Sequence, residues 1–399
     1  MKWKLACWVL IVSGSFVFSC KDKSTDTIAP QKPVLVSSQI FTSRTASDIR
    51  SYLTLAGLSS YVLNDADIYK VTYNTTYKGQ AIVASGLVAL PNTSNAVPMI
   101  SFQHGTIVAH SEAPSLQSAS STDMLTYTGL ASAGFIAAVP DYIGFGSSSD
   151  ILHPYFVEEP TAVAVTDMLK AAAELAVKQK VTFNGKLFLA GYSQGGYATM
   201  AAHKYIEQKG LSGFTLVASF PAAGAYDVRS LLDYFLGLST YADPSYVAYI
   251  AFAYKNNIDT WIAPLTDFFN EPYGSKIPAL FDGTKNGSQI DDQLTTDFHA
   301  LLQADLVANM GTDQKYTYIT DAFTANSLTD WKPMIKMYMY HGDADTTVPY
   351  TNSEATYQKL IANGASPNTV TLTKLAGADH TTGVIPYLQD FIPILVSLK

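Results

Sequence analysis

Short strand-like runs alternate with longer amphipathic segments over most of this chain. Runs typical of strands recur at 97–102, 135–139, 187–190, 215–220, 334–340 and 369–375. Helical periodicity separates several of them, most clearly at 160–180, where apolar residues recur three and four positions apart. Strands that alternate with helices in this way predict a mostly parallel sheet with helices on both faces, the α/β class.

The region before the first buried strand has a different pattern. A short helix is predicted over Thr45–Leu55, with the Thr45 side chain as its N-terminal cap. Ile68–Tyr77 and Gln80–Leu90 are rich in β-branched and aromatic residues and flank Lys78-Gly79, which predicts a leading hairpin. Further helices are expected at 197–209, 352–362 and 385–398.

Between residues 225 and 323 the alternation stops, and aromatic residues crowd a segment without clear parallel strands. We expect a mainly helical cap insertion over 225–325. Aromatic rings at helical spacing usually form a core, so core packing is favoured here over direct contact with a substrate. The sheet-forming core then comprises residues 45–224 and 326–399.

The first twenty residues have the pattern of a secretory signal peptide. Two lysines precede an apolar stretch, Leu5–Phe18, which is shorter than the about 20 residues that a transmembrane helix needs. The tetrapeptide that ends at Cys20 resembles the lipobox of bacterial lipoproteins, whose cysteine becomes the lipidated first residue. We therefore expect a signal peptide over 1–20, a lipidated Cys20 and a flexible tether over 21–44.

These features predict an exported protein that is lipid-anchored to a bacterial membrane, with the outer membrane or the cell surface favoured. The alternative is an ordinary signal peptide with a chance cysteine. The only two cysteines are Cys7 and Cys20, so no disulfide is expected in the mature chain of this 399-residue protein. A net charge of −8 and 15% charged residues argue against a nucleic-acid partner.

The most informative motif lies at the end of the run 187–190. Gly191-Tyr192-Ser193-Gln194-Gly195 has the G-x-S-x-G pattern between a predicted strand and a predicted helix. A serine on such a tight turn needs neighbours without side chains, and the helix that follows directs its free N–H groups towards the site. Ser193 is therefore the candidate nucleophile.

A nucleophilic serine needs a base and an acid that orients the base. Asp345 and His380 follow Ser193 in the order Ser, Asp, His, and each comes after a predicted strand, at the edge of the sheet where Ser193 is expected. Asp343 and Asp227 are the alternatives for the acid. His341 and His203 are the alternatives to His380 for the base. His341 is expected to be a turn residue that hydrogen-bonds locally, and His203 is expected to be structural or exposed.

The oxyanion of an acyl-transfer reaction would need two backbone N–H donors. One is expected from Gln194, the residue after the nucleophile. The second is expected from the loop that follows the strand 97–102, from Gly105 or Thr106, with Thr106 favoured. Asp141 and His153 also lie at the predicted active-site edge, and the sequence assigns them no role.

Several motifs together resemble those of the secretory lipase family of α/β-hydrolases. They are the His-Gly-Thr loop at 104–106, the segment 141–156, the serine motif, 341–349 and 377–380. The resemblance covers residues 61–399 and implies a carboxyl-ester hydrolase whose cap covers an acyl pocket. Gln194 departs from the yeast members, which have glycine there, and its bulk beside the nucleophile favours shorter esters than those of true lipases.

The predicted function is therefore a serine esterase or lipase that forms an acyl-enzyme and accepts short-to-medium acyl esters. It needs no metal or cofactor, and its partners are a small-molecule or lipid ester and the membrane that holds its anchor. A serine peptidase of the same superfamily and a polysaccharide deacylase are the enzymatic alternatives. A non-catalytic binding lipoprotein is the alternative from another class, and the three assembled catalytic residues argue against it.

Overall fold

A computed structural model describes residues 33–399, and the predicted signal peptide and Cys20 lie outside the described residues. Nine strands form one sheet in the order β1-β2-β3-β5-β4-β6-β7-β8-β9. The strands are β1 (Leu35–Arg44), β2 (Ala66–Tyr77), β3 (Gln80–Pro91), β4 (Val97–Gln103), β5 (Ile136–Pro140), β6 (Phe183–Tyr192), β7 (Thr215–Ala222), β8 (Lys336–Gly342) and β9 (Val370–Leu375). The pairs β1–β2, β2–β3 and β3–β5 are antiparallel. All the other neighbouring strands, from β5 across the sheet to β9, pair in parallel. The expected α/β class is confirmed.

Thirteen α-helices accompany the sheet within the described residues. They are α1 (Ala46–Leu53), α2 (Thr122–Ser132), α3 (Glu158–Lys178), α4 (Gln194–Lys209), α5 (Val228–Leu236), α6 (Pro244–Asn257), α7 (Tyr273–Leu280), α8 (Gly287–Asp291), α9 (Phe298–Leu301), α10 (Ala304–Asn309), α11 (Thr317–Ala325), α12 (Tyr350–Ala362) and α13 (Val384–Leu398). The predicted cap of the first helix is confirmed, because the Thr45 side chain accepts a hydrogen bond from the Asp48 N–H. None of the helices in 33–399 is both long and apolar enough to cross a membrane.

Side chains of the central strands alternate between two cores, one on each face of the sheet. Phe188 and Ala190 of β6 belong to the core that α1, α2 and α13 cover. Leu187 and Leu189 belong to the opposite core, which α3 and α4 cover. Because both faces are buried, the strand is a continuous apolar run in the sequence.

Two elements differ from the expectation. Residues 35–44, predicted as part of the tether, form β1 and pair with β2, so the predicted tether boundary at residue 44 is wrong. Most β1 side chains are exposed or half-buried, and this edge strand therefore lacks the apolar run that marks the others. The sequence analysis did not predict helix α2. Its buried and half-buried residues are spread around most of the helix circumference, so the apolar periodicity in its sequence is weak.

The segment between β7 and β8 adds helices α5 to α11 and no strand of the sheet. Its aromatic residues form a core of their own, in which Trp261 is buried against Tyr254, Phe268 and Phe323. Trp261 therefore packs in a core, as was expected for the aromatic residues of the insertion.

Candidate active site

Ser193 occupies the turn between β6 and α4 at φ 60° and ψ −124°, a backbone conformation that L-residues rarely adopt. Glycines on both sides make this turn sterically feasible. A Cβ added at Gly191 would lie 2.4 Å from the Gly195 carbonyl oxygen, and one added at Gly195 would lie 2.0 Å from the Gln103 carbonyl oxygen. The turn is therefore wedged against the end of β4, and Ser193 is partly exposed there.

The structure brings Ser193, His380 and Asp345 together from three separate strand ends. His380 Nε2 lies 2.9 Å from Ser193 Oγ. On the other side of the imidazole ring, Nδ1 lies 2.6 Å from Asp345 Oδ2. A proton on Nδ1, donated to the carboxylate, leaves Nε2 able to accept the hydroxyl proton of the serine.

Asp345 is fully surrounded by donors. Its Oδ1 accepts the backbone N–H groups of Thr347 and Val348, both at 2.9 Å, while Oδ2 accepts from His380 and from His341 at 3.2 Å. Burial would raise the pKa of this carboxyl group, but the hydrogen bonds from the two histidines and their charges hold it at about 2, below the ordinary 3.8. The acid therefore stays ionised at neutral pH.

The alternative acids are placed elsewhere. Asp343 is exposed and accepts the Gly377 N–H at 2.6 Å, which fixes the turn after β9. Asp227 caps α5 by accepting the Ser230 N–H and also pairs with Lys359 Nζ at 2.6 Å. Neither carboxylate hydrogen-bonds His380 in residues 33–399.

The alternative bases are buried and occupied. Both ring nitrogens of His203 are bonded, one to Ser219 Oγ and the other to Glu207, each at 2.7 Å. His203 is therefore structural, one of the two expectations for it. His341 is also buried and hydrogen-bonds locally as expected, to Val348 and to Asp345 itself, but it lies in strand β8 and not in a turn.

The loop after β4 approaches the nucleophile as expected. A Cβ built on Gly105 would lie 3.7 Å from Ser193 Cβ, an ordinary contact, so the glycine is not forced by crowding from protein atoms. Within residues 33–399, the backbone N–H groups of Gln194 and Thr106 donate no hydrogen bond. Gln194 is the first residue of α4, and the dipole of this helix adds a partial positive charge at its N-terminus.

The side chain of Gln194 points into the protein, which contradicts the expected bulk beside the nucleophile. Gln194 is buried, and its Nε2 lies 2.7 Å from His153 Nε2. His153 Nδ1 donates to the Ile143 carbonyl oxygen at 2.6 Å, so the Nε2 of the neutral ring accepts from Gln194. Burial lowers the pKa of His153 to about 3, which keeps this ring neutral. The bulk of Gln194 therefore does not limit the length of the ester beside Ser193.

Asp141 holds the neighbouring loops in place. Its carboxylate is completely buried and accepts from the hydroxyl and the N–H of Ser115 and from the Ser85 hydroxyl. Tyr142, the next residue, donates from its hydroxyl to the His104 carbonyl oxygen at 3.0 Å. The two residues therefore support the 104–106 loop from behind.

The insertion contacts the site through tyrosine hydroxyl groups. Tyr234 and Tyr241 donate to the carbonyl oxygens of Thr346 and Thr347, each at 3.1 Å, in the loop that carries Asp345. Tyr155 bonds the Thr106 hydroxyl at 2.7 Å and stacks on Tyr249 of α6. The insertion therefore covers both the acid loop and the 104–106 loop.

A cavity of about 290 Å³ lies beside the 104–106 loop. Helix α2 lines it through Thr126 and Tyr127, and α13 lines it through Leu388. Thr126 and Leu388 also line an apolar groove of about 270 Å³ between α1, α2 and α13, at whose rim Leu55 is 97% exposed. The two cavities therefore share part of their lining, and we name them together the α2–α13 groove.

The site brings together a serine hydroxyl, an imidazole and a buried carboxylate, the types of side chain that acyl transfer uses. Among the described residues, no cluster of three or more His, Cys, Asp or Glu side chains could hold a metal ion. The sequence did not indicate the contact of His153 with Gln194, which is 41 positions away, nor which neighbour the local hydrogen bonds of His341 would reach. The only local signal was that His341 stands shortly before Asp345 and that His153 lies in the motif segment 141–156.

Comparisons with known proteins agree on the fold. The model of the alpha/beta hydrolase family matches residues 109–390. A candidate hydrolase from Legionella pneumophila subsp. pneumophila is 26% identical with a TM-score of 0.81, over 92% of this chain and 98% of that one. No curated protein sequence matches.

Two enzymes are also similar in structure. The rice cell wall degrading esterase LipA from Xanthomonas oryzae is 25% identical with a TM-score of 0.78, over 92% of this chain and 98% of that one. Candida antarctica lipase A in its closed state has a TM-score of 0.67 over 92% of this chain and 83% of that one. At 16% identity, the latter likeness shows the fold alone.

Proposed function

Because this chain belongs to the alpha/beta hydrolase family, we propose that it is a serine carboxyl-ester hydrolase that works through an acyl-enzyme. The observation that carries the proposal is the continuous set of contacts from Ser193 through His380 to Asp345. The likeness to an esterase over nearly the whole of both chains supports the substrate class.

In the first half-reaction, Ser193 Oγ attacks the ester carbonyl carbon while His380 Nε2 takes the hydroxyl proton. The negative charge that develops on the carbonyl oxygen is stabilised by the N–H groups of Gln194 and Thr106. As the tetrahedral intermediate collapses, the bond to the alcohol breaks, and His380 gives its proton to the departing alkoxide. A water molecule then repeats the sequence on the acyl-enzyme and releases the acid and Ser193.

We propose that the α2–α13 groove receives the acyl chain. The cavity beside Gly105 and Thr106 shares the lining residues Thr126 and Leu388 with the apolar groove. Burying each methylene contributes about 0.8 kcal/mol, roughly fourfold in affinity, so acyl chains that extend along it gain binding energy. Trp261, which is packed in the core of the insertion, is not part of this proposed acyl site.

A polysaccharide ester is the second candidate substrate. The specific reason is the likeness to the rice cell wall degrading esterase LipA, which is 25% identical. In that case the acyl group is small and the alcohol is carbohydrate, so activity on acetylated xylan would exceed activity on simple alkyl esters.

The experiment is a panel of p-nitrophenyl esters from acetyl to palmitoyl, with acetylated xylan and an aminoacyl-nitroanilide beside it. The proposal predicts hydrolysis of several of the esters and loss of that activity in purified, folded Ser193→Ala. Activity confined to the nitroanilide would instead favour a peptidase. Ester hydrolysis retained by purified Ser193→Ala would contradict the proposal.

We also propose that the mature protein is attached to a bacterial membrane through lipid on Cys20. The support is the lipobox-like sequence before this cysteine. Cys20→Ser should release the protein into the soluble fraction or block its processing. An unmodified N-terminus downstream of residue 20 in the mature wild-type protein, found by mass spectrometry, would exclude the anchor.

A further inference from the structure

A second histidine, His341, contacts the carboxylate of Asp345. It is the penultimate residue of β8 and is fully buried. Its Nε2 lies 2.9 Å from the Val348 carbonyl oxygen and 3.2 Å from Asp345 Oδ2, the oxygen that also accepts from His380. Its Nδ1 lies 2.6 Å from Ser353 Oγ.

These partners determine where the proton is. A carbonyl oxygen can only accept, so the contact with Val348 requires a proton on Nε2 of His341. That same N–H is shared with Asp345 Oδ2, while Nδ1 can accept the hydroxyl hydrogen of Ser353. Val348 therefore determines the N–H that faces Asp345, and Ser353 on α12 serves as the partner of the other ring nitrogen.

We propose that His341 is a positioning residue that tunes the base through the acid. By donating to Oδ2 of Asp345, it fixes the carboxylate and withdraws part of the charge that would otherwise stabilise protonated His380. The inference rests on the proposed function, in which His380 must be neutral to accept the proton of Ser193.

The sign of the effect follows from this arrangement. A carboxylate that loses a donor becomes a stronger acceptor for the His380 N–H and favours the protonated imidazole. Removing the His341 donor should therefore move the acid limb of kcat/KM to higher pH.

Other titratable and aromatic side chains lie near His380, Asp345 and His341, and the test leaves them unchanged. Asp243 at the start of α6 and Asp379 in the loop after β9 interact electrostatically with His380 and Asp345 respectively. The Tyr192 ring lies 5.5 Å from that of His380, and the Tyr350 ring lies 5.9 Å from that of His341. From the insertion, Tyr234 faces Asp345.

The test uses two amides that differ by one methylene. In His341→Asn the amide reaches the Nδ1 position beside Ser353 but falls short of Asp345, whereas the amide of His341→Gln reaches the Nε2 position. The acid limb of kcat/KM on a p-nitrophenyl ester should rise by roughly half a pH unit in His341→Asn and return towards wild type in His341→Gln. We also expect His341→Asn to lose about tenfold in kcat/KM at neutral pH.

Ser353→Ala is the control for disturbed packing. It removes a buried contact of the same ring but leaves the N–H that faces Asp345, so stability should fall while the acid limb stays. Identical acid limbs in wild type and in folded, active His341→Asn would overturn the inference, and so would an equal shift in Ser353→Ala. Either result would leave the ester-hydrolase proposal intact, since that proposal depends on Ser193→Ala.

Discussion

At the residue scale, the choice among three carboxylates can be tested directly. Asp345 is the one bonded to His380, while Asp343 and Asp227 fix a turn and a helix cap. We expect Asp345→Asn to lower kcat by about 10³-fold or more, though less than Ser193→Ala, because the acid orients the base without reacting. Asp343→Asn should remain within a few-fold of wild type. A larger loss in Asp343→Asn, measured on the same ester, would reassign the acid.

A second residue-scale prediction concerns acid stability and His153. Its pKa in the folded protein is about 3, against an ordinary 6.5, so the unfolded chain binds more protons between these values. Its contribution to stability is therefore complete above pH 6.5 and is lost as the pH falls towards 3. Between pH 7.5 and 5 this loss amounts to about 2 kcal/mol.

The measurement is urea unfolding of wild type and His153→Gln at both pH values. The free energy of unfolding should fall less on acidification in the variant, by about the 2 kcal/mol that His153 contributes. His104 is present in both proteins, so its titration cancels in the comparison. Equal pH dependence would mean that His153 is not held neutral in the folded state.

At the scale of elements, the strand–turn–helix at Ser193 depends on close backbone approach. A Cβ at Gly195 would lie 2.0 Å from the Gln103 carbonyl oxygen, whereas one at Gly105 meets nothing closer than 3.6 Å. We expect Gly195→Ala to lower the free energy of unfolding by about 3 kcal/mol or more and Gly105→Ala by less than about 1 kcal/mol. Chemical denaturation of the two variants tests this. Equal losses in the free energy of unfolding would mean that steric crowding is not the reason for glycine at position 195.

The sequence predicted the elements whose burial is continuous or periodic. The central strands and the Ser193 turn were identified because a sheet covered on both faces requires apolar runs and because the turn requires glycines. Strand β1 and helix α2 were missed, since one is an edge strand with exposed side chains and the other is buried around much of its circumference.

The same limit applies to the site. Ser193, Asp345 and His380 could be recognised because each follows a strand end, and parallel strands end at one edge of the sheet. His341 and Asp345 are four positions apart, and the sequence indicated local hydrogen bonding for His341 without naming its partner. The direction of the Gln194 side chain depends on His153, which is 41 positions away. No local pattern encodes such contacts.

At the scale of the whole molecule, the path of the acyl chain distinguishes the α2–α13 groove from the insertion. Thr126 is half-exposed and lines both parts of the groove, so Thr126→Trp should block it without disturbing a core. In wild type, kcat/KM on p-nitrophenyl esters should rise from acetyl to octanoyl, and the variant should flatten this rise while keeping activity on acetyl.

The matched control is Thr324→Trp, on an exposed position of α11 in the insertion. It should leave the chain-length profile unchanged. A profile that is altered by Thr324→Trp and not by Thr126→Trp would place the acyl chain under the insertion instead.

The central claim is that Ser193 forms the covalent intermediate, and a p-nitrophenyl phosphonate ester tests it most directly. This reagent forms a bond to a nucleophilic serine that water does not readily break, and it releases p-nitrophenolate in the same step. We predict one equivalent of p-nitrophenolate per protein molecule and a phosphonyl group on the peptide that contains Ser193, with neither in folded Ser193→Ala. A phosphonyl group on another residue, or labelling of Ser193→Ala at the wild-type rate, would contradict the account.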